Sequence, residues 1–320
     1  MSVFSHIERF VMLLAITTIM AGMGGCDVLH DDLSECDLYL QFKYDYNLAR
    51  EDWFADQVGA VKVFLFSAEG KYLRTLTESG EALKTPGYRM PIPYGLRGST
   101  AVVWAGKTER FYSLPAMSAG DPIEKLTLKY EPAGNASTNH LDTLWHSGPL
   151  TLFPEGYTGN TETAGLVRNT NDVTVSISRG NTPLDVSDFD IVIRSADGTY
   201  NYKNEPSDIN RAIVYRPCPG EDIPEAGGCL HTLRFVKGQH ITFSVTEKST
   251  GTPVDIGGST QIDLIDYLLL SKPEGMGDQE YLDRRYLWDI RIALGTGTEA
   301  YLALCITINN WVYWFHPTDL

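Results

Sequence analysis

The sequence predicts a mainly β protein that is built from β-sandwiches, and three observations carry this expectation. Short stretches with period-two alternation of apolar residues recur along the chain, as in strands with one buried face: "LYLQFKYDY", "AVKVFLF", "TAVVWAG", "DVTVSIS" and "FDIVIRS". Segments rich in Gly, Pro, Asn and Asp separate these stretches and fit turn geometry. Amphipathic helical patterns are scarce, which disfavours alternating β and α units.

Two segments are candidates for helix. "EDWFADQVGAV" has the spacing for one or two helical turns, and "IDLIDYLLLSK" fits either a short helix or a buried strand. Periodicity alone does not separate these alternatives in so short an apolar run.

The first residues form an export signal that ends at a cysteine. The apolar run from Phe10 to Met20 covers eleven residues, whereas a membrane span needs about 20 helical residues. Arg9 precedes this run and small residues follow it, as signal peptidases require. Met23-Gly24-Gly25-Cys26 resembles a bacterial lipobox, so we expect removal of residues 1–25 and acylation of Cys26. The alternative is an ordinary secretory signal with an incidental cysteine.

Charge and acylation define the expected partners. The chain carries a formal net charge of −15, and removal of residues 1–25 deletes one Arg and one Glu, so the mature chain keeps this charge. Such a surface repels phosphate backbones, which argues against nucleic acid as a partner. Each buried methylene of an acyl chain such as palmitate contributes about 0.8 kcal/mol. Several chains on Cys26 would therefore hold the protein stably in outer-membrane lipid.

Four cysteines remain besides Cys26. Cys218 and Cys229 flank a loop rich in Pro and Gly, and we predict a disulfide between them, since a bridge that closes so short a loop contributes roughly 3 kcal/mol in the chain-entropy model. Cys36 and Cys305 lie far apart in sequence. They fit two separate buried thiols at least as well as a bridge.

The chain length and one turn-rich stretch set the expected domain boundaries. The 295 residues of the mature chain, 320 minus 25, suggest about two domains. "FPEGYTGNTETAG" is the best boundary between two runs of strands. We therefore predict a signal peptide (1–25), a lipidated linker (26–36), an N-terminal β-sandwich (37–160) and a C-terminal β-sandwich (161–320).

A search for catalytic or metal-binding motifs gives weak candidates. The sequence has no G-x-S-x-G, H-E-x-x-H, P-loop or Cys-x-x-Cys motif. His140, Asp142 and His146 would share one face of a strand, yet solvated polar residues on a hairpin edge explain them more simply. Asp185, Asp188 and Asp190 lack the Gly and the terminal Glu of a calcium loop. We predict no enzymatic activity, no metal and no cofactor.

Aromatic residues cluster at two places. Trp53 and Phe54 lie together, and the C-terminus carries Trp311, Tyr313, Trp314 and Phe315. Exposed rings could stack on sugars, while packed rings belong to a sandwich core, which is the commoner role.

The order of several segments resembles a known family. The lipobox is followed by "DDLSEC", "YLQFKYDYN" and "FADQVGAVKVFLFSAEG", later by "LVRNTNDVTVSIS" and "YLDRRYLWDIRI", and finally by "CITINNWVYWF". This order is similar to that of the FimB/Mfa-type fimbrial anchor and assembly lipoproteins of Gram-negative anaerobes. Asn310 departs from the family's Ile-Asn-Gly-Trp pattern, which expects Gly at this position.

The resemblance implies two tandem transthyretin-like, Greek-key β-sandwich domains without a catalytic site. It also implies a surface-exposed outer-membrane lipoprotein at the base of a fimbrium (pilus), which binds the stalk subunit, fimbrillin, and limits filament length. Stalk subunits of such pili are trimmed after an Arg. Arg50 lies in "LAREDWF", where a trypsin-like protease could cut, and the resemblance to an anchor implies that it stays uncut.

The candidate element for subunit contact is the segment from Cys305 to Phe315, because it is terminal, strand-like and aromatic. Its contact residues would be Ile306, Ile308, Trp311, Val312, Tyr313 and Trp314. The alternative is that this segment is the last internal strand of the second sandwich.

Two other functions remain open. A surface glycan-binding lipoprotein of a nutrient-uptake system would share the anchor, the sandwiches and the aromatic residues. Trp311 and Trp314 weigh against it, since residues three apart on a strand face opposite sides. An exported hydrolase would need a cleft with convergent catalytic groups.

Overall fold

The computed structural model of the chain describes residues 37–132, 134, 136–207, 210–220, 227–297 and 300–315. The fold is mainly β, which confirms the predicted class. The strands are β1 Leu38–Lys43, β2 Ala60–Phe66, β3 Tyr72–Ser79, β4 Arg89–Ile92, β5 Thr100–Gly106, β6 Tyr112–Ser113, β7 Leu128–Tyr130, β8 Ala136–Ser137, β9 Leu144–Thr151, β10 Thr161–Gly165, β11 Val167–Arg168, β12 Thr170–Arg179, β13 Thr182–Leu184, β14 Phe189–Asp197, β15 Thr199–Tyr200, β16 Asn210–Tyr215, β17 Gly228–Leu233, β18 Ile241–Glu247, β19 Ile262–Asp263, β20 Leu287–Leu294, β21 Ala303–Ile308 and β22 Trp311–Trp314.

Three short α-helices accompany the strands: α1 Phe54–Gln57, α2 Leu264–Leu269 and α3 Asp278–Arg284. The ambiguous segment "IDLIDYLLLSK" forms β19 and then α2, because the Asp263 carboxylate accepts the Ile265 N–H at 3.0 Å and caps the helix. The 3-10 helices are Gly80–Lys84, Tyr94–Leu96, Ile123–Lys125 and Val186–Asp188.

Two sheets form the N-terminal part of the molecule. One has three strands in the order β10-β1-β4, and the other has five in the order β11-β9-β5-β2-β3. Alternate apolar side chains of β1 and β2 meet between these sheets, with Leu40 and Val63 both at 0% exposure. This interleaving is the sandwich that the period-two pattern predicts.

Three sheets dominate the C-terminal part. A five-stranded sheet has the order β19-β18-β14-β16-β8, and a three-stranded sheet has the order β15-β7-β6. A six-stranded sheet has the order β13-β12-β20-β21-β22, with β17 also paired to β12. The adjacent strands β12 and β20 are parallel.

The core continues from one part to the other. β2 and β5 bury side chains on both faces, because Phe64 and Trp104 point away from the N-terminal sandwich and join Val173 and Ile290 in a second apolar cluster. The near-continuous apolar runs of β2 and β5 therefore reflect packing on two sides.

The predicted boundary at residues 160 and 161 needs correction. β10 pairs with β1 and β11 pairs with β9, so the N-terminal sheets continue to Arg168. In the opposite direction, β7 pairs with β15 and with β6, and β8 pairs with β16, so three strands that precede residue 160 belong to C-terminal sheets. A turn-rich sequence marks a loop, but strand pairing decides which sheet the next strand joins.

Candidate functional site

The C-terminal segment forms a β-hairpin at one edge of the six-stranded sheet. β21 pairs with β20 on one side and with β22 on the other, and β22 has no further partner strand among the described residues. The segment from Cys305 to Phe315 is thus not one internal strand: β21 is internal, and β22 is the edge.

The turn of this hairpin depends on Asn309. Its φ of 57° lies in the left-handed region, which Asn tolerates better than most residues. The side-chain oxygen accepts the Asp289 N–H at 3.2 Å, and the side-chain nitrogen donates to the Ser271 hydroxyl at 3.1 Å. The hairpin therefore forms although Asn310 stands where the related pattern has Gly, since the positive φ falls on Asn309.

The register decides which way each side chain of β22 points. Trp311 lies opposite Ile308 and Tyr313 opposite Ile306, so this pair shares the core-facing side of the sheet. Val312 lies opposite Thr307 and Trp314 opposite Cys305, so this pair shares the outer side. The two tryptophans face opposite sides, as their spacing predicts.

All four side chains of β22 are exposed. The exposed fractions are 57% for Trp311, 46% for Val312, 39% for Tyr313 and 62% for Trp314. An edge strand presents unpaired N–H and C=O groups, and proteins usually protect such edges with charged residues or Pro. β22 carries neither, so its chemistry favours the addition of another strand.

Two predicted contact residues do not belong to this surface. Ile306 and Ile308 are part of β21, and their side chains, 0% and 1% exposed, lie in the core. They pack the hairpin against the core and are not part of its exposed surface. The exposed surface consists of Trp311, Val312, Tyr313 and Trp314, which we call the β22 edge.

The other aromatic cluster is part of the core. Phe54 is 5% exposed and its ring stacks on Phe42 at a centroid distance of 5.4 Å. The half-buried Trp53 packs edge-on against Tyr44 at 6.2 Å. This pair forms no exposed platform for a sugar ring.

The candidate metal ligands are dispersed. His146 is 1% exposed and lies 4.4 Å from the Trp104 ring, and burial lowers its pKa to about 3. The exposed His140 ring lies 4.1 Å from the His231 ring, and Asp142 contributes its backbone carbonyl to the Tyr112 hydroxyl. Within the described ranges, no group of three or more His, Cys, Asp or Glu side chains could hold a metal ion.

The three aspartates near residue 185 do not converge either. Asp185 accepts the Ser187 N–H at 2.8 Å and caps a 3-10 helix, while Asp190 forms a two-point ion pair with Arg216. These contacts match the predicted turn that leads into a strand.

The predicted Cys218–Cys229 disulfide is not formed in the structure. The two backbones are adjacent, since the Cys218 N–H donates to the Cys229 carbonyl at 2.8 Å. The Cys218 thiol instead donates to the Thr138 carbonyl at 3.1 Å. Cys305 is buried in β21, and burial raises its pKa. Cys26 and Cys36 lie outside the described residues.

A contact that sequence reasoning missed joins two of the resemblance segments. The Arg284 guanidinium lies 4.1 Å from the centre of the Tyr46 ring and donates to the Asn47 carbonyl at 3.2 Å. The neighbouring Asp283 binds Arg234 through two hydrogen bonds of 2.7 and 2.8 Å. The loop after β1 is thereby fastened to α3, close to the start of β20.

These features define a class of protein: a mainly β protein that exposes an apolar strand at one sheet edge. The chain belongs to the family of fimbrillin-A associated anchor proteins Mfa1 and Mfa2, whose model matches residues 33–316. It is therefore a fimbria-associated surface protein. This family is described by anchoring and not by an enzymatic activity.

Solved structures share this fold. A Bacteroides thetaiotaomicron protein that is provisionally named as polysaccharide-binding is 30% identical to this chain, with a TM-score of 0.78. The match covers 89% of this chain and 100% of the other. A provisionally named adhesin of Bacteroides ovatus is 22% identical, with a TM-score of 0.75 and coverages of 92% and 99%. The fimbrial anchor protein Mfa2 of Porphyromonas gingivalis is 21% identical, with a TM-score of 0.68 and coverages of 88% and 99%. Among curated proteins, no sequence matches this chain.

In the described part of the chain, every helix is too short or too polar to cross a membrane.

Proposed function

We propose that this protein is an outer-membrane lipoprotein that anchors a fimbrium at the cell surface and takes part in its assembly and length control. The observation that carries the proposal is the family match over residues 33–316 together with the exposed β22 edge near the end of that match. The attachment point is the acylated Cys26. The partner is the stalk subunit, fimbrillin.

The β22 edge supports a contact through strand pairing. An incoming extended segment would satisfy the unpaired backbone groups of β22, and its alternate side chains would meet the pairs Trp311/Tyr313 and Val312/Trp314 on the two sides. Burial of such exposed apolar area contributes about 25 cal/mol per Å². Because β21 lies against the core, the edge is firmly held.

The loop around Arg50 supports a chain that remains intact. Arg50 is exposed but has a φ of 58°, and its N–H donates to the Asn47 carbonyl at 3.2 Å. The Asn47 side chain, at 0% exposure, bridges the loop by donating to the carbonyls of Tyr44 and Glu51. Proteases cleave segments that open locally, and this compact loop opposes such opening.

The proposal is tested by weighing fimbriae that are shed into the medium against those kept on cells. A gene deletion and a Cys26→Ala strain are both expected to shed filaments while fimbrillin expression persists. A Cys218→Ala strain is the matched control, because it removes a cysteine outside the lipobox, and it should retain its filaments. Unchanged shedding and filament length in both test strains would contradict the anchor function.

Glycan binding is the second candidate, favoured by the exposed Trp311 and Trp314. The rings face opposite sides of β22, so a sugar chain could stack on one of them at a time. Titration with surface polysaccharides, followed by tryptophan fluorescence in wild type, Trp311→Ala and Trp314→Ala, separates the candidates. Saturable binding that one of the two substitutions abolishes and the other leaves in place would favour a glycan receptor.

A further inference from the structure

A cavity of about 350 Å³ opens beside the β21–β22 turn. Its lining includes Asp172 and Thr174 from β12, Leu287 and Asp289 from β20, Arg285 after α3, and Asn310 from the turn. Leu287 is opposite Asp172 in the register and 55% exposed, which places the cavity on the outer side of the six-stranded sheet. We call it the Arg285 pocket. It adjoins the β22 edge through Asn310.

The carboxylates of this pocket are already neutralised. Asp172 accepts a hydrogen bond from the Arg168 guanidinium at 3.1 Å and contacts the His231 ring nitrogen at 2.6 Å. Asp289 pairs with two nitrogens of Arg291 at 2.8 and 2.7 Å. Both carboxylates therefore already have cationic partners other than Arg285, the remaining cation of the lining.

Arg285 is the cation of the lining that has no carboxylate partner among the described residues. One terminal nitrogen donates to the Leu287 carbonyl at 3.1 Å, and the guanidinium lies 5.6 Å from the centre of the Trp288 ring and 5.7 Å from that of Tyr281. Its Nε is buried and has no hydrogen-bond partner, and no carboxylate of the described residues forms an ion pair with it. A guanidinium that lines an open cavity and has no carboxylate partner favours an anion in that cavity.

We propose that the Arg285 pocket binds a carboxylate of the extended peptide segment that docks on the β22 edge. A guanidinium presents donors in a plane that matches a carboxylate, and such charge-assisted hydrogen bonds are stronger than neutral ones. The inference rests on the proposed function, since it names the chemistry of the partner: an apolar strand with an acidic residue, or a chain terminus, next to the turn.

Two features favour a peptide over an acidic sugar. The aromatic ring of the lining, Trp288, is 1% exposed and offers no face for stacking of a sugar. The adjoining β22 edge has unpaired backbone groups that a peptide strand satisfies and a sugar chain does not.

The proposal is tested by peptide binding to the purified full-length mature protein. The probes are the fluorescein-labelled peptide Thr-Val-Thr-Val-Thr-Glu and its counterpart with a terminal Gln, both amidated, measured by fluorescence polarisation. We expect the Glu peptide to bind roughly tenfold more tightly than the Gln peptide. Arg285→Gln should abolish the preference, and Arg285→Lys should keep part of it.

The matched control is Arg194→Gln, which removes the same charge from an exposed site on β14 outside the pocket. It should leave the preference unchanged. Equal affinity for both peptides, binding of neither peptide, or a preference that survives Arg285→Gln overturns the proposal. Glucuronate binding that matches the Glu peptide and is lost in Arg285→Gln also overturns it, because the ligand would then be a sugar.

A second arm separates this inference from the anchor function. Filament shedding is measured in an Arg285→Gln strain beside the gene deletion. More shedding in Arg285→Gln than in Arg194→Gln supports the pocket. Shedding in the deletion strain with normal retention in Arg285→Gln overturns the pocket inference and leaves the anchor function in place. If the deletion strain sheds nothing while the peptide preference holds, the pocket binds carboxylates and the anchor function fails.

Discussion

Two edge strands of the molecule, β3 and β22, differ in the residues that they carry along their open sides. β3 closes the five-stranded N-terminal sheet and carries Arg74 and Glu78 among mixed polar residues, with Leu73 as its exposed apolar side chain at 41%. β22 closes the six-stranded sheet with Trp-Val-Tyr-Trp, and all four residues are exposed. Charges on an edge discourage pairing with another chain, and β22 has none.

The same contrast exists inside one sheet. The opposite edge of the six-stranded sheet contains β13, a strand of three residues with Pro183 in its middle, and Pro removes a ladder donor. The rest of that edge is β17, which pairs with the first half of β12 and is buried along its whole length, so β22 is the edge that is left exposed and apolar. Within the described residues, this asymmetry marks β22 as the edge suited to pairing.

The largest expected loss of stability comes from a substitution in the buried strand of the hairpin, β21, and not in its edge strand, β22. Ile306→Ala removes a side chain that is 0% exposed and should lower the free energy of unfolding by about 2–5 kcal/mol. Tyr313→Ala, directly opposite and 39% exposed, should cost clearly less. Urea denaturation measures both. Equal losses of stability in the two variants would show that β22 is packed as tightly as β21, which would contradict its assignment as an open edge.

A pH dependence distinguishes the interior from the surface. Burial holds the pKa of His146 at about 3, below the ordinary histidine value of 6.5, so the unfolded state binds a proton at a higher pH than the folded state. Stability is therefore lost as the pH falls from about 6.5 toward 3, by about 2–3 kcal/mol at pH 4.5. His146→Gln should reduce this loss in urea denaturation at pH 7 and 4.5. His240→Gln, at an exposed histidine, is the control, and equal slopes in the two variants would contradict the assignment.

The hairpin turn gives a smaller effect. Asn309→Ala loses three side-chain hydrogen bonds and places Ala at a φ of 57°, which should cost about 1–3 kcal/mol. Asn310→Ala should stay within about 0.5 kcal/mol. Thermal unfolding of the two variants provides the measurement. A larger cost at Asn310 would place the critical residue of the turn there.

The smallest expected effect concerns the edges themselves. Val312→Lys in β22 and Leu73→Lys in β3 each add a charge to an exposed strand position, at 46% and 41% exposure, so both should change the free energy of unfolding by less than about 0.5 kcal/mol. Chemical denaturation checks this. A large loss in Val312→Lys alone would mean that β22 stabilises the fold and is no free edge.

Much of the fold follows from the sequence, because period-two alternation encodes a buried face. The alternation in "LYLQFKYDY" predicts β1, in which Leu38, Leu40 and Phe42 are buried. The continuous apolar runs of β2 and β5 indicate buried strands. They do not show which strands pack on the second face, because the cluster with Val173 and Ile290 forms only by tertiary packing. α3 escaped prediction because seven residues are too few for a clear helical period.

The site was only partly predictable for a related reason. An apolar aromatic strand looks the same in sequence whether it is central or at an edge, so the exposure of Trp311 and Trp314 depends on where the sheet ends. Ile306 and Ile308 were wrongly grouped with them because the turn at Asn309 reverses the chain. The Arg285 pocket depends on the register of two strands, β12 and β20, and on the position of the turn, which a local sequence pattern does not supply.

The role of β22 as the contact edge is tested by filament retention on cells that carry Val312→Lys or Leu73→Lys. Both proteins should fold and reach the surface at wild-type levels. We expect the Val312→Lys strain to shed fimbriae into the medium, since a charge now blocks the β22 edge, while the Leu73→Lys strain retains them. Equal retention in the two strains, with both proteins folded, would contradict the assignment of β22 as the contact edge.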